Sequence, residues 1–216
     1  MTRPPTGLAR PAGTVFALDE HDAPDTTSAE RGLLVWLCAS ARMAVHNHAL
    51  DVGQERSTRA HLWWFSVLLA HGRLFTPTRG ESDDLEYGEP GTCYATAHSN
   101  TCGTGLLYVE GFADPGSPAW LATEHAWCAR PGGRQALDPT WTPPGSAYLG
   151  IAFTRGWRQD AYAEMGHPVP LLSADHAVGR RLLERGVPEH AVEPDVGRAL
   201  PESLRTVLTQ VGARPR

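Results

Sequence analysis

The sequence predicts an α+β fold, and three observations predict it. Apolar residues recur at helical spacing over the first third of the chain, glycine- and proline-punctuated pieces of strand length follow from Pro90, and helical texture returns towards the C-terminal end. The expected architecture is a cysteine at a helix N-terminus and a small antiparallel sheet, flanked by helices.

Each element has its own local reason. Residues 1–26 are rich in Pro, Thr, Gly and Asp, with only Thr14–Leu18 strand-like, which predicts a mobile or loosely docked N-terminal arm. A single domain is expected over 27–216. Thr27-Ser28-Ala29-Glu30 has the form of a capping box, in which the threonine accepts from the backbone at Glu30 while the glutamate reaches back. A helix should follow to about Leu50, with Leu33, Leu34, Leu37, Ala41 and Ala44 on its buried face. A second helix is expected over Gln54–Phe75, carrying Leu62, Trp63, Phe65, Val67, Leu68 and Leu69. Thr76–Pro90 reads as an acidic, solvated loop, since ESDDLE lacks the turn glycine and alternating ligands of a calcium site.

A short helix is expected at Thr92–Thr101, then strands at Leu106–Ala113, Glu124–Ala129, Gln135–Asp138 and Ala147–Phe153. Pro131-Gly132-Gly133-Arg134 is a hairpin turn signal that makes the second and third of these strands antiparallel neighbours. The C-terminal helices fall at about 173–212, with Ser173 the expected N-cap of 174–185 and Pro201 a first-turn residue of 201–211.

Composition narrows the function. The 216 residues are 41% hydrophobic and 20% charged, enough for one sizeable core. A net charge of −5 gives no chain-wide electrostatic case for nucleic acid or an anionic membrane as partner. There is no lysine, which removes Schiff-base chemistry and a Walker-type phosphate lysine. A GC-rich genome accounts for that bias, because isoleucine (Ile151) and asparagine (Asn47, Asn100), whose codons are also AT-rich, are equally scarce. Residues 1–14 hold no apolar secretory core, and the apolar runs Leu33–Ala39 and Leu62–Phe65 are far shorter than the roughly 18–20 residues that span a bilayer. A cytoplasmic location is expected. Four cysteines without CxxC spacing argue against both a disulfide framework and a zinc ribbon, so one of them is a candidate for chemistry.

Gly91-Thr92-Cys93, His125-Ala126-Trp127 and Asp138-Pro139-Thr140 form the constellation that carries it. Cys93 opens a helix, where free backbone N–H groups and the positive dipole end favour thiolate. His125 falls in one strand and Asp138 at the end of its hairpin partner. A carboxylate there can hold one imidazole nitrogen while the other meets sulfur. A zinc site from Cys93, Cys102, His125 and Cys128 fits poorly, because helix rotation and strand alternation turn Cys102 and Cys128 away. His46, His48 and His98 read as surface or packing residues.

In order and spacing these strings resemble the transglutaminase-like cysteine enzymes of the papain-like superfamily, whose core reads Gly-x-Cys, His-Ala-Trp, Asp-Pro-Thr. His125 lies 32 positions after Cys93, and Asp138 lies 13 after His125. The resemblance covers about residues 90–154, which makes that stretch the catalytic core. It implies Cys93 as nucleophile, His125 as general base and acid, Asp138 as orienting carboxylate, and Trp127 and Trp141 as walls of the site. The implied activity is acyl transfer or hydrolysis on an amide, peptide or thioester through a Cys93 thioester, with an amide-forming transferase as one version. The alternative is an inactive relative that binds or scaffolds.

The short cysteine helix points to a small-molecule or short-peptide substrate, with a carrier-bound acyl donor as one source. No cofactor and no metal are implied. Position 87 is Tyr where papain-like proteases place an oxyanion-hole glutamine, so a second oxyanion donor beside the Cys93 N–H stays open. Glu110 is either a strand-edge carboxylate facing water or a pocket group pairing with a substrate amine. Trp120 is either a lid or a plug.

Overall fold

The computed structural model describes residues 23, 25–50, 57–78, 82–83, 85–116, 122–173 and 175–204, without the side chains of 44–50, 57–63, 183 and 203. The architecture is α+β. Helices α1 (Ser28–Leu50) and α2 (Ser57–His71) precede strand β1 (Arg73–Pro77), helix α3 (Cys93–Thr101), strands β2 (Leu107–Asp114), β3 (Thr123–Ala129), β4 (Gln135–Ala136) and β5 (Ala147–Phe153), and helices α4 (Arg155–Met165) and α5 (Ala177–Arg185). No helix among the described residues is long and apolar enough to cross a membrane.

The capping box forms as expected: Thr27 N donates to Glu30 Oε2 at 2.8 Å and Glu30 N to Thr27 Oγ1 at 3.2 Å. Of the expected arm, residues 1–22 and 24 lie outside the described set. Its described end is docked, with Ala23 buried and the Asp25 carbonyl held by Arg198.

The expected second helix stops early. It ends at His71, and Arg73–Pro77 is strand β1, paired antiparallel with β5 through Leu74↔Leu149 and Phe75↔Tyr148. Gly72 makes the change of direction possible, because a Cβ there would lie 2.3 Å from the Leu68 carbonyl oxygen. The small antiparallel sheet is also larger than expected, with five strands in the order β3-β2-β5-β1-β4.

β4 pairs with β1 in parallel, through Thr76↔Gln135 and Pro77↔Ala136. The expected hairpin between β3 and β4 is reduced to one bridge, in which Cys128 and Leu137 exchange backbone hydrogen bonds of 2.9 and 2.8 Å. That bridge brings the two edge strands together and curls the sheet. Its inner face buries Phe75, Val109, Trp127, Tyr148 and Ala152. The outer face carries Leu74, Tyr108, Phe112, Leu149 and Ile151 against Leu33, Leu34, Leu37 and Leu68 of the first two helices.

Two further corrections concern the C-terminal part. α4 was not expected from the sequence, a mostly polar segment that buries Arg158, Ala161 and Tyr162 and packs Trp157 and Met165 partly against the core. α5 starts at Ala177 with His176 as N-cap, whereas Ser173 makes a turn instead, its hydroxyl accepting from Asp175 N at 3.3 Å. Of the helix expected over 201–211, Glu202–Leu204 is a 3-10 turn and 205–211 lie outside the described residues.

Candidate active site

Cys93 is the first residue of α3, after a turn at Gly91 whose φ of 87° suits glycine. The Thr92 hydroxyl is engaged by the Glu89 carbonyl at 2.6 Å and by Thr96 Oγ1 at 2.8 Å, so no side chain caps the first turn. First-turn N–H groups have no intrahelical acceptor, and Cys93 lies in that turn. The loop before Cys93 is pinned at both ends. Asn100 clamps the backbone of Glu86, accepting its N–H at 2.7 Å and donating to its carbonyl at 2.8 Å. Gly88 N donates to the Pro139 carbonyl at 2.8 Å, which ties the cysteine loop to the turn after Asp138.

His125 sits near the start of β3, opposite Gly111 of β2, and is 2% exposed. Its side chain shares a face with Trp127. Nε2 lies 2.7 Å from Asp138 Oδ2, and Cys93 is near enough to the ring to raise its pKa. With Nε2 occupied, Nδ1 is the nitrogen left for sulfur. Trp141 stacks on the ring at 4.0 Å with planes 20° apart.

Asp138 receives five donors. His125 Nε2 and the Tyr148 hydroxyl (2.7 Å) meet Oδ2, while Thr140 N (2.9 Å), Thr140 Oγ1 (3.2 Å) and Trp141 N (3.1 Å) meet Oδ1. Tyr148 is held in turn by Gly145 N at 2.7 Å.

The electrostatics follow from these bonds. Burial alone pushes the His125 pKa down, but its bond to Asp138 and the nearness of Cys93 outweigh that and lift it to about 9. Burial likewise pushes Asp138 up, but the bond and charge of His125 together with the Thr140 and Tyr148 donors hold it below the ordinary carboxylate value. An imidazole that keeps its proton beside a thiol is the arrangement that stabilises thiolate. Burial pushes the thiols of Cys38 and Cys128 up to about 12, so both are inert at neutral pH.

The structure therefore brings Cys93, His125, Asp138 and Trp141 together, and leaves other candidates elsewhere. Trp127 is fully buried in the inner core, at 5.1 Å from Tyr148 and 5.6 Å from Phe75, so it backs His125 without walling a pocket. Glu110 pairs with Ala126, the neighbour of His125 in β3, and so faces the opposite side of the sheet. It is neither water-facing nor pocket-lining. It is fully buried, accepting from the Tyr108 hydroxyl at 2.8 Å and from the backbone N–H of Leu171 (2.8 Å) and Leu172 (2.9 Å). Trp120 lies outside the described residues, as do the side chains of His46 and His48.

His98 is a packing residue. It sits between Tyr162 and Arg158, whose Nη1 donates to Nδ1 at 2.9 Å. Cys128 faces Ala97 on the outer side of the sheet, and Cys102 is exposed beside His98. Tyr148 was missed. Its alternation in β5 puts it on one face with Ala152, but nothing local says which way that face points or links its hydroxyl to Asp138. Comparison of the chain with known family models, with curated proteins and with solved structures finds no match.

Proposed function

We propose that the chain is a transglutaminase-like enzyme with a papain-like core, which takes an acyl group from an amide, peptide or thioester onto Cys93 and passes it to water or an amine. The observation that carries this reading is the buried His125–Asp138 pair, its carboxylate saturated with donors, with Cys93 at a helix start near enough to the imidazole to raise its pKa. Asp138 fixes the imidazole's tautomer and orientation. His125 takes the thiol proton, the sulfur attacks the carbonyl carbon, and the first-turn N–H groups of α3 face the developing oxyanion. The imidazolium then protonates the leaving group as the C–N or C–S bond breaks. The thioester is released when an acceptor loses its proton to His125 and attacks the same carbon. Cys93 is only 7% exposed, which supports a small or slender substrate, a short peptide or a carrier-bound acyl chain over a broad protein face.

The test is intact-mass analysis after incubation with a panel of thioesters and amides, with peptide mapping of the adduct. An acyl group on Cys93 in the wild type, lost in His125→Ala, is the expected result. Iodoacetamide labelling of Cys93 at an equal rate with and without His125 would overturn the reading in favour of a scaffold that keeps the fold without turnover. Because Cys102 is exposed, labelling must be assigned by peptide and not by total uptake.

A further inference from the structure

At the far end of α3 from Cys93 lies a second cysteine–histidine pair, which the Cys93–His125–Asp138 relay does not use. Cys102 follows the helix as its C-cap and is exposed, and His98 stands one turn before it. The Cys102 sulfur lies 3.6 Å from His98 Nε2 and donates to the His98 carbonyl at 3.4 Å. On its other side the same ring meets Arg158, whose Nη1 lies 2.9 Å from Nδ1. A guanidinium has donors only, so Nδ1 is the acceptor and the one hydrogen of the neutral ring sits on Nε2. Burial, and then the Arg158 charge, hold the His98 pKa below its ordinary 6.5, which keeps the ring neutral at pH 7. The pair is therefore the reverse of Cys93 and His125. A carboxylate behind the imidazole makes it a base; a guanidinium makes it a hydrogen-bond donor towards sulfur. With its hydrogen on Nε2, His98 can neither take the Cys102 proton nor ligate a metal through that nitrogen.

The groups behind this pair lack acceptors. Arg158 is only 3% exposed, yet its Nε has no hydrogen-bond partner among the described residues, and neither has the buried hydroxyl of Tyr162. Tyr162 packs edge-on against the His98 ring at 4.8 Å. Burial and Glu110 raise its pKa, and the nearby Cys102 thiol adds to the rise. Buried donors without an acceptor are rare in folded proteins. Cys102 is the exposed member of this cluster, so an oxygen carried on its sulfur is an acceptor that solvent can deliver.

We propose that Cys102 is an oxidation site for small hydroperoxides, with the His98 Nε2–H as donor to the departing oxygen. The sulfur attacks one peroxide oxygen, and the S–O bond forms as the O–O bond breaks. With hydrogen peroxide the departing hydroxide becomes water, using the proton that the thiol gave up. Sulfur is oxidised by two electrons to sulfenic acid and the peroxide is reduced by two. The new oxygen then accepts from His98 in place of the sulfur.

The test divides the rate of sulfenic acid formation at Cys102 with hydrogen peroxide, trapped by dimedone, by the rate of its iodoacetamide labelling at the same pH. Both reactions need an accessible, ionised sulfur, but iodide leaves without a proton, so the quotient isolates the donor. Chymotrypsin cuts after Tyr94 and Tyr108, which separates Cys102 from Cys93 and Cys128 in the mapping. The Cys102 quotient should exceed that of N-acetylcysteine about tenfold, the worth of one well-placed hydrogen bond. His98→Phe keeps a ring against Tyr162 but has no N–H, and should bring the quotient down to the N-acetylcysteine value. A wild-type quotient equal to that of N-acetylcysteine, or one that His98→Phe leaves unchanged, would overturn the oxidation site. The wild-type comparison stands even where the variant fails to fold, and neither readout depends on Cys93 being a nucleophile.

Discussion

At the scale of single residues, Asp138 is the member of the relay with the most partners, and this makes its neighbours testable. Tyr148→Phe removes one donor from Oδ2 and leaves the buried Gly145 N–H without its acceptor. The expected cost is about 1–3 kcal/mol of stability. Turnover should fall as well, since the carboxylate gains freedom to rotate away from His125; denaturant unfolding and steady-state rates measure the two effects separately. The raised pKa of His125 has a definite sign in stability. The folded state binds this proton more tightly than the unfolded chain, so the contribution is complete below 6.5 and lost as pH rises through about 9. Asp138, held low, contributes above its ordinary value of 3.8 and loses that contribution as pH falls. Asp138→Asn removes the partner that lifts His125. The stability gap between wild type and this variant should therefore shrink between pH 6.5 and 9, and a gap that is constant across this range would show that the two side chains are not coupled.

At the scale of elements, the helix starts and the strand crossings carry different kinds of constraint. Thr27→Ala removes the hydroxyl half of the α1 capping box and should cost about 1 kcal/mol without touching Cys93. Glu30→Ala should cost more, because Glu30 both returns to Thr27 N and pairs with Arg198 near the C-terminal end of the described chain. Thermal unfolding of the two variants orders them. The curl of the sheet depends on close backbone approach, since a Cβ on Gly150 would lie 2.6 Å from the Trp127 ring and 2.7 Å from the Glu110 carbonyl oxygen. Gly150→Ala therefore has to push Trp127 or β2 aside. It should destabilise by about 2–4 kcal/mol. It should also slow Cys93 alkylation in the chains that still fold, because Trp127 backs His125.

At the scale of the whole molecule, Glu110 is a tie between the sheet and the segment that leads into α5. Its carboxylate is pushed up to about 7 by burial, against the lowering effect of the two backbone N–H groups and Tyr108. The proton is bound more tightly in the folded state, so this group stabilises most below 4.5 and loses that contribution as pH rises through about 7. Glu110→Gln turns an amide NH2 towards one of the two backbone donors. The amides of Leu171 and Leu172 should then exchange hydrogen faster while iodoacetamide labelling of Cys93 stays unchanged. Slower labelling with unchanged exchange would return Glu110 to the substrate side of the sheet.

What the sequence determined by itself was local or ordered along the chain. The capping box at Thr27, the start of α3 at Cys93 and the strands around His125 and Tyr148 depend on neighbours a few residues away, and those neighbours are present in any conformation. The order of the three strings, with a turn between the last two, was enough to place Cys93, His125 and Asp138 in one constellation. Only the tertiary structure decided the rest. Arg73–Pro77 became a strand because β5 and β4 lie on either side of it, and no local preference encodes a partner about 60–75 residues away. Alternation put Glu110 on the face of Tyr108 and Phe112, but which face His125 shares was set by the register of β2 against β3. Alternation likewise put Trp127 on the face of His125 and Tyr148 on that of Ala152, without saying that Trp127 would be sealed in the core or that Tyr148 would hold Asp138. A period-2 pattern specifies a face; what covers that face is set by packing between chain-distant residues, and burial, hydrogen-bond partners and pKa values follow from the packing.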